Sequence, residues 1–571
     1  MRKYFLLILL AAIALGLRLH KLEARGPITD EKFTLLNANG FWVGGANQAA
    51  FKKEVFTAQD FWEPMGPRDF MDASANADFG THMVHNVLLH YWMKAFGNSD
   101  FSIRIPGLIF NVLTVLLIFL LVLKYFNSYR VAFLAGLLFA IDPLNVAQSH
   151  IARSYPLSFF LLTLGTVYFT RIVTGKGTWK NFAIYTLIIG LAMLNHYINF
   201  FIPLAHALIF LVLRRKSTLW TGFIVAALCN AALLFYWFNW GGGYTAMDFL
   251  KDKNAIHKQI AENVDDELSL TIQRATPDII AKKAIGLYYD ISVIGHGLFE
   301  DIKGVKVFFA SLLLALSILF GVQERRWKKY AGVFLALVLL VYEREYAGAM
   351  LSSAALFIAL YYALRYVKEV WAFEEEKAQF VWLCMGWLML VLPLLFVVRD
   401  AFSSGNTTSL THRYIGNASP FVVILVAVGM VRAARERWTY AVLLLFAGLY
   451  QWRNIQGGLE DYFADRSVYN AYFVPERVAN PYAMVAKQVL ATAAPGDTLV
   501  IPGAYKDKYE ERFGREMAVS YKDAQFLNLY FPKDNLLPQT VDPKEREKIY
   551  LKRKGGEKVL IFDFKGEEFR Y

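Results

Sequence analysis

Apolar runs of membrane-crossing length recur along this chain, and the stretches between them alternate between strongly basic and mixed polar. A hydrocarbon layer demands about 20 apolar residues per helix and tolerates no unpaired backbone group, so this pattern dictates a helix bundle. Hydropathy marks about thirteen spans, running from Tyr4–Leu19 through Arg104–Leu123, Val131–Ile141 and Tyr155–Ile172 to Pro420–Val431 and Tyr440–Tyr450. Composition agrees: 56% of the 571 residues are hydrophobic and only 19% charged, too apolar for a soluble protein. The net charge of +12 is not gathered into a basic domain interleaved with aromatics, so no nucleic-acid partner is expected. Cys229 and Cys384 both lie inside apolar runs, which argues against a disulfide framework or a cysteine metal site. The first apolar run continues through Gly16-Leu17-Arg18-Leu19 without a clear cleavage site, so a retained span rather than a cleaved signal is expected.

Loop charge orients the bundle. Starting from a cytoplasmic N-terminus, alternate loops carry Lys124 and Arg130, then Arg171, Lys176 and Lys180, then Arg214-Arg215-Lys216. The series continues through Arg325-Arg326 with Lys328-Lys329 and ends on Arg432, Arg435 and Arg437. Positive loops stay inside, so an odd number of spans leaves the C-terminus outside. The outer face then holds a long first loop (residues 21–98), a second large loop (241–306), and short turns bearing Arg153, His196, Arg344 and Arg413. His82–Phe96, within the first loop, reads as an amphipathic helix lying at the interface.

Two domains are expected. Residues 1–452 form the membrane bundle, and residues 453–571 a small extracytoplasmic α/β domain. In the latter, Ala483–Ala494 reads as a helix, Pro495-Gly496-Asp497 as a turn, and Thr498–Ile501 and Val559–Phe564 as strands. No catalytic motif is apparent there, so acceptor recognition or stabilisation of the bundle is its expected role.

An acidic pair, Asp30-Glu31, falls just beyond the first span on the outer side. A carboxylate at the rim of a bundle can serve as a general base with access to both lipid and water, although many such pairs are merely solvated loop starts. Other motifs follow in order. Phe96-Gly97 leads into Ser102-Ile103-Arg104-Ile105-Pro106-Gly107, then come Ser149-His150-Ile151-Ala152-Arg153-Ser154-Tyr155, His196-Tyr197 and Arg413-Tyr414. In this order and on one side, the chain resembles the GT-C glycosyltransferases, in particular the protein O-mannosyltransferases and the bacterial lipid A aminoarabinose transferases. The likeness covers the first 215 residues well and the rest loosely. Two departures stand out. The family's His-Pro-Pro before the interfacial helix is replaced by Asp78-Phe79-Gly80-Thr81-His82, and the Glu of its Gln-Glu-Ala-Arg segment by His150 or Ile151.

The resemblance implies an integral-membrane transferase. It would move a sugar from a polyprenyl-phosphate donor to a hydroxyl of a protein, lipid or glycan on the outer face of the plasma (inner) membrane. It points to Asp30 as the base and Glu31 as a helper that positions the acceptor. Arg153 is the first phosphate candidate because a guanidinium grips phosphate oxygens in a fork, the alternative being a snorkelling arginine. Arg413 is the second, against an interfacial anchor. His196 can donate to phosphate or sugar, Tyr155 and Tyr197 can line the pocket or simply belong to an aromatic belt, and Asp78 is a second carboxylate or a turn residue. His82 and His85 share a helix face and with Asp78 have the spacing of zinc ligands, yet His82 reads better as a substrate contact. No metal and no cofactor are expected. Three other readings remain: a polymerase or ligase that moves a whole polyprenyl-linked glycan, a transporter or flippase, and a non-catalytic assembly subunit. The second would place ionisable residues at mid-membrane and often show inverted halves, neither of which is apparent. The Asn406-Thr407-Thr408 and Asn417-Ala418-Ser419 triplets fit glycosylation sequons.

Overall fold

The computed structural model describes the chain apart from residues 64, 78–80, 214–216, 264, 294–304, 322–325, 343, 451, 453–455, 458–459, 461–479, 504–520 and 566–571. Helices dominate. By length and composition six of the described helices can cross a membrane: Ser102–Phe126, Tyr155–Val173, Leu219–Trp240, Ala347–Trp371, Glu374–Ser404 and His412–Glu436. The count rises to seven if Tyr129–Ile141 and Pro143–Ser149, bent by 57°, make one span. The bend has a local cause: Pro143 begins the second helix and excludes helical geometry at Asp142 before it. The thirteen spans expected from hydropathy are therefore met only in part. Tyr197–Leu213, Val305–Leu319, Tyr330–Val341 and Trp438–Tyr450 are apolar but short, and at 1.5 Å per residue such helices fall short of a layer of about 30 Å.

The bundle has two chemically distinct ends. The helix Ile105–Phe126 begins at Arg104 and closes on Lys124, which lies within electrostatic reach of Arg171 and Lys176. Tyr155–Val173 likewise runs from Arg153 to Arg171. At this basic end Arg365 pairs with Glu436 at 2.9 Å, and Arg432 pairs with Glu369. At the other end the turns bearing Arg153, His196 and Arg413 come together. Arg214-Arg215-Lys216 and Arg325 lie outside the described residues, as does the side chain of Arg344.

Near the C-terminus, β1 (Thr498–Pro502), β2 (Gln539–Asp542), β3 (Lys548–Lys552) and β4 (Lys558–Asp563) form a sheet in the order β2-β1-β3-β4. The β1/β2 pair is parallel and the others antiparallel, with a bulge at Ile549/Tyr550. The expected helix and both expected strands are present, the helix as Pro481–Thr492. This sheet shares one apolar core with the first loop: Leu35, Phe41, Phe56 and Phe61 pack with Tyr482, Val489, Leu499 and Ile549. Backbone bonds join the two, Phe56 N to Gln539 O at 3.0 Å and Gln539 N to Phe56 O at 2.7 Å. The Gln525 carboxamide accepts from Gly44 N and donates to Trp42 O. The C-terminal unit is thus fastened onto the loop that carries Asp30 and His82.

Candidate active site

Asp30 and Glu31 open the helix Thr29–Asn37, where acidic side chains are favoured by the helix dipole. Adjacent residues on a helix point about 100° apart, so the pair divides. Glu31 turns inward and is fully buried. It accepts from Arg25 Nη1 at 2.8 Å, from Arg104 Nε at 2.9 Å and Nη2 at 3.1 Å, and from the backbone N–H groups of Ile28 and Ala152, each at 2.9 Å. Burial works against ionisation, but the Arg104 and Arg25 guanidiniums prevail and hold the carboxyl far below its ordinary value. A carboxylate so enclosed has no oxygen left for an acceptor. Through these bonds Glu31, expected to position the acceptor, fixes the Asp30 helix to the start of the Ile105–Phe126 helix and to the Ala152 turn.

Asp30 turns outward, its side chain 44% exposed, and meets Arg413, itself 51% exposed, at 3.5 Å. That distance is long for a hydrogen bond, so the pair is an open contact rather than a locked one. Burial raises the Asp30 carboxyl, while Arg153, Arg413 and Lys253 outweigh it and leave the group below its ordinary value. Three cations thus face one accessible carboxylate, since the charge of Glu31 is taken up by Arg25 and Arg104.

Arg153 is buried behind this face. Its Nη1 donates to the Asp30 carbonyl at 3.2 Å and to Thr34 Oγ1 at 2.9 Å, and Nη2 lies 2.8 Å from His82 Nε2. A guanidinium only donates, so His82 Nε2 is the acceptor, and Nδ1 carries the proton toward Ser154 Oγ. Burial and the neighbouring Arg153 push the His82 ring well below its ordinary basicity, consistent with that neutral form. With both nitrogens engaged, His82 offers no lone pair to a metal, and among the described residues no cluster of metal-ligating side chains occurs. His82 also sits at φ +69°, a strained conformation for a residue with a Cβ, held by its N–H bond to Asn195 O at 3.0 Å.

His196 stacks edge-on to His82 with ring centroids 5.2 Å apart, and Tyr155 lies 6.0 Å from each ring. The Ile198 N–H donates to His196 Nδ1 at 3.3 Å, which puts the imidazole proton on Nε2. Burial and the Arg153 and Arg413 charges bring its pKa down to about 3, so the ring stays neutral and is a hydrogen-bond donor at physiological pH. Asn195 Nδ2 bonds Ser154 O at 3.0 Å and Ser158 Oγ at 2.9 Å, tying the His196 turn to the Arg153 turn.

Asp30, Arg153, His82, Tyr155, His196 and Arg413 therefore gather at one place. Tyr197 does not join them. Its hydroxyl accepts from Trp237 Nε1 at 2.9 Å and its ring stacks on Phe238, because the turn after His196 sends alternate side chains to opposite sides. Tyr197→Phe is accordingly expected to leave transfer within about twofold of wild type, as one exposed-edge hydrogen bond contributes about 1 kcal/mol to local packing and nothing to the site. Steady-state kinetics check this. Asp78 lies outside the described residues. Both sequon asparagines are buried, and Asn417 Nδ2 donates to Asn199 Oδ1 at 2.6 Å, so neither presents itself for glycosylation. Sequence reasoning overlooked the clamps Arg25 and Thr34, and it met Arg104 and Ser154 only as parts of motifs, with no role assigned to either.

Residues 82–240 match the family model described as dolichyl-phosphate-mannose-protein mannosyltransferase. The match includes His82, Arg153, Tyr155 and His196 and leaves out Asp30 and Arg413. Among solved structures, this chain is similar to the oligosaccharyltransferase AglB from Archaeoglobus fulgidus, at 15% identity and a TM-score of 0.44. That alignment covers 94% of this chain and 61% of the AglB chain, so the chain spans about three fifths of that relative's length. It is also similar to ArnT from Cupriavidus metallidurans, solved with undecaprenyl phosphate, at 13% identity and a TM-score of 0.36, covering 92% of this chain and 85% of that one. No curated protein matches the chain.

Proposed function

We propose that this protein transfers a sugar from a polyprenyl-phosphate donor to a hydroxyl acceptor on the outer face of the plasma membrane, with membrane lipids around it. The observation that carries the reading is the pairing of one accessible carboxylate with a surplus of cations at one end of the bundle. A donor whose leaving group is a phosphate needs that surplus, and an acceptor hydroxyl needs that carboxylate. The description of the family matched over 82–240, which names dolichyl-phosphate mannose, supports the donor class.

In this reading the acceptor oxygen attacks the anomeric carbon and the bond from that carbon to the phosphate oxygen breaks, its electrons leaving with the phosphate. The acceptor proton passes to an Asp30 carboxylate oxygen. Arg413 is the phosphate ligand, because it is exposed and loosely held, and His196 Nε2–H is a second donor. Arg153, buried and already bonded to Asp30 O, Thr34 and His82, is a positioning residue that adds its charge from behind. A bound phosphate draws Arg413 away from Asp30, and losing that cation raises the basicity of Asp30 when the proton must be taken. Donor binding thereby readies the base.

The test is transfer from a panel of radiolabelled polyprenyl-phosphate sugars to a membrane extract, with Arg413→Gln beside wild type. Loss of a charge-assisted contact of about 2 kcal/mol is expected to lower kcat/KM for the donor roughly 30-fold, chiefly through KM. Transfer only from diphosphate-linked oligosaccharides would replace this reading with that of a glycan ligase. The pH profile gives a second check. The acid limb of kcat/KM for wild type is expected below 3.8, the ordinary aspartate value, and to move upward in Arg413→Gln as the carboxylate loses its cation. A limb that stays in place in the variant would contradict the Asp30–Arg413 coupling.

A further inference from the structure

A cleft of about 220 Å³ lies between the Met83–Phe96 helix of the first loop and the Leu529–Lys533 segment of the C-terminal unit, away from Asp30. Its walls include Trp62, His90, Met93, Lys94, Phe531 and Lys533, and no aspartate or glutamate is among the residues lining it. Among the described residues neither lysine has a carboxylate partner. Lys533 Nζ rests 4.3 Å over the Trp62 ring, and Lys94 Nζ lies 5.8 Å from the Tyr91 ring. Burial and the nearby Lys94 charge both weaken the Lys533 ammonium, the mark of two like charges sharing one place. His90 donates Nδ1–H to Ala38 O at 2.7 Å, which leaves Nε2 at the cleft.

The surroundings say what would neutralise these cations. Beside Lys94 the same helix leaves Tyr91 64% exposed, with Val87 one turn before it on the same face, and Phe96 is 63% exposed near the helix end. Phe101, Ile109 and Leu113 are exposed as well, the last two on the spanning helix Ser102–Phe126. Large exposed rings beside the start of a membrane helix belong at the level of lipid headgroups. Two unpaired ammoniums next to such rings meet a phosphate above and acyl chains below.

We infer that this cleft binds the headgroup of an anionic phospholipid, with the acyl chains lying along the exposed Val87–Tyr91 face. The lipid ties the C-terminal segment to the helix that begins at His82, so the membrane surface itself braces the site. Inorganic phosphate shares the charge but has no use for the rings, which is why a lipid rather than a free anion is the occupant.

The test uses the full chain in detergent and native mass spectrometry, titrating phosphatidylglycerol, phosphatidylcholine and inorganic phosphate separately. Wild type is expected to retain phosphatidylglycerol in preference to phosphatidylcholine. The double variant Lys94→Gln/Lys533→Gln is expected to bind phosphatidylglycerol roughly 30-fold more weakly, at about 1 kcal/mol for each cation near the surface. Lys94→Arg/Lys533→Arg keeps both charges and is expected to retain binding. Equal retention of the two lipids by wild type, or unchanged binding in the glutamine pair, would overturn the inference. So would loss of binding in the arginine pair, or competition by inorganic phosphate as effective as phosphatidylglycerol.

Discussion

Asp30→Asn is expected to reduce kcat by about 10²–10⁴-fold while leaving the protein folded. The size follows from the role: an amide cannot accept the proton that an attacking hydroxyl must shed, and a positioned base supplies an effect of that order. The folded state follows from the geometry. The Asp30 side chain is 44% exposed, and its one ion pair, to Arg413, is 3.5 Å long. The contact that Arg153 makes is to the Asp30 backbone carbonyl, which the substitution leaves in place. Transfer in the donor-panel assay, read beside thermal melting in detergent, separates the two quantities. Equal turnover by wild type and variant would eliminate Asp30 as the base.

Glu31→Gln gives the opposite signature. The fold, rather than the chemistry, is expected to fail, by about 3–5 kcal/mol, because two buried guanidiniums lose their common anion. The measurement is the thermal midpoint in detergent, which should fall steeply, with any surviving folded fraction retaining transfer. The same cluster sets an acid limit on stability. The Glu31 carboxyl is held below its unfolded value of 4.5, so its contribution is complete above that pH and is lost progressively as the pH falls toward the folded value. A Glu31→Gln protein as stable as wild type but inactive would instead put Glu31 among the groups that touch substrate. The neighbouring carboxylates thus separate in experiment as they do in space, one read by turnover and the other by melting.

The sequence alone was enough to establish a bundle of membrane helices, because backbone hydrogen bonding in hydrocarbon permits nothing else for long apolar runs. It was also enough to place Asp30, Arg153, His196 and Arg413 on a common side, because alternating basic loops give every turn a sidedness, and these four residues do meet. The C-terminal strands and helix were legible from turn residues and alternation. The count of thirteen spans is not settled: by length and composition six or seven of the described helices qualify, and several other apolar helices are shorter.

Only the tertiary structure could tell Glu31 from Asp30. Two adjacent acids look alike along a chain, and their difference arises from a helix phase that turns one toward Arg25 and Arg104 and the other toward Arg413. Nor could spacing separate His196 from Tyr197, which the turn sends to different neighbours. The exchange of roles proposed for the two arginines has the same origin. Arg153 is sequestered by Thr34 and His82, partners 119 and 71 positions away, and Arg413 is left at the surface. Sidedness is a property of segments and can be read from local composition. Partnership depends on contacts between residues far apart in sequence, and those exist only once the chain has folded.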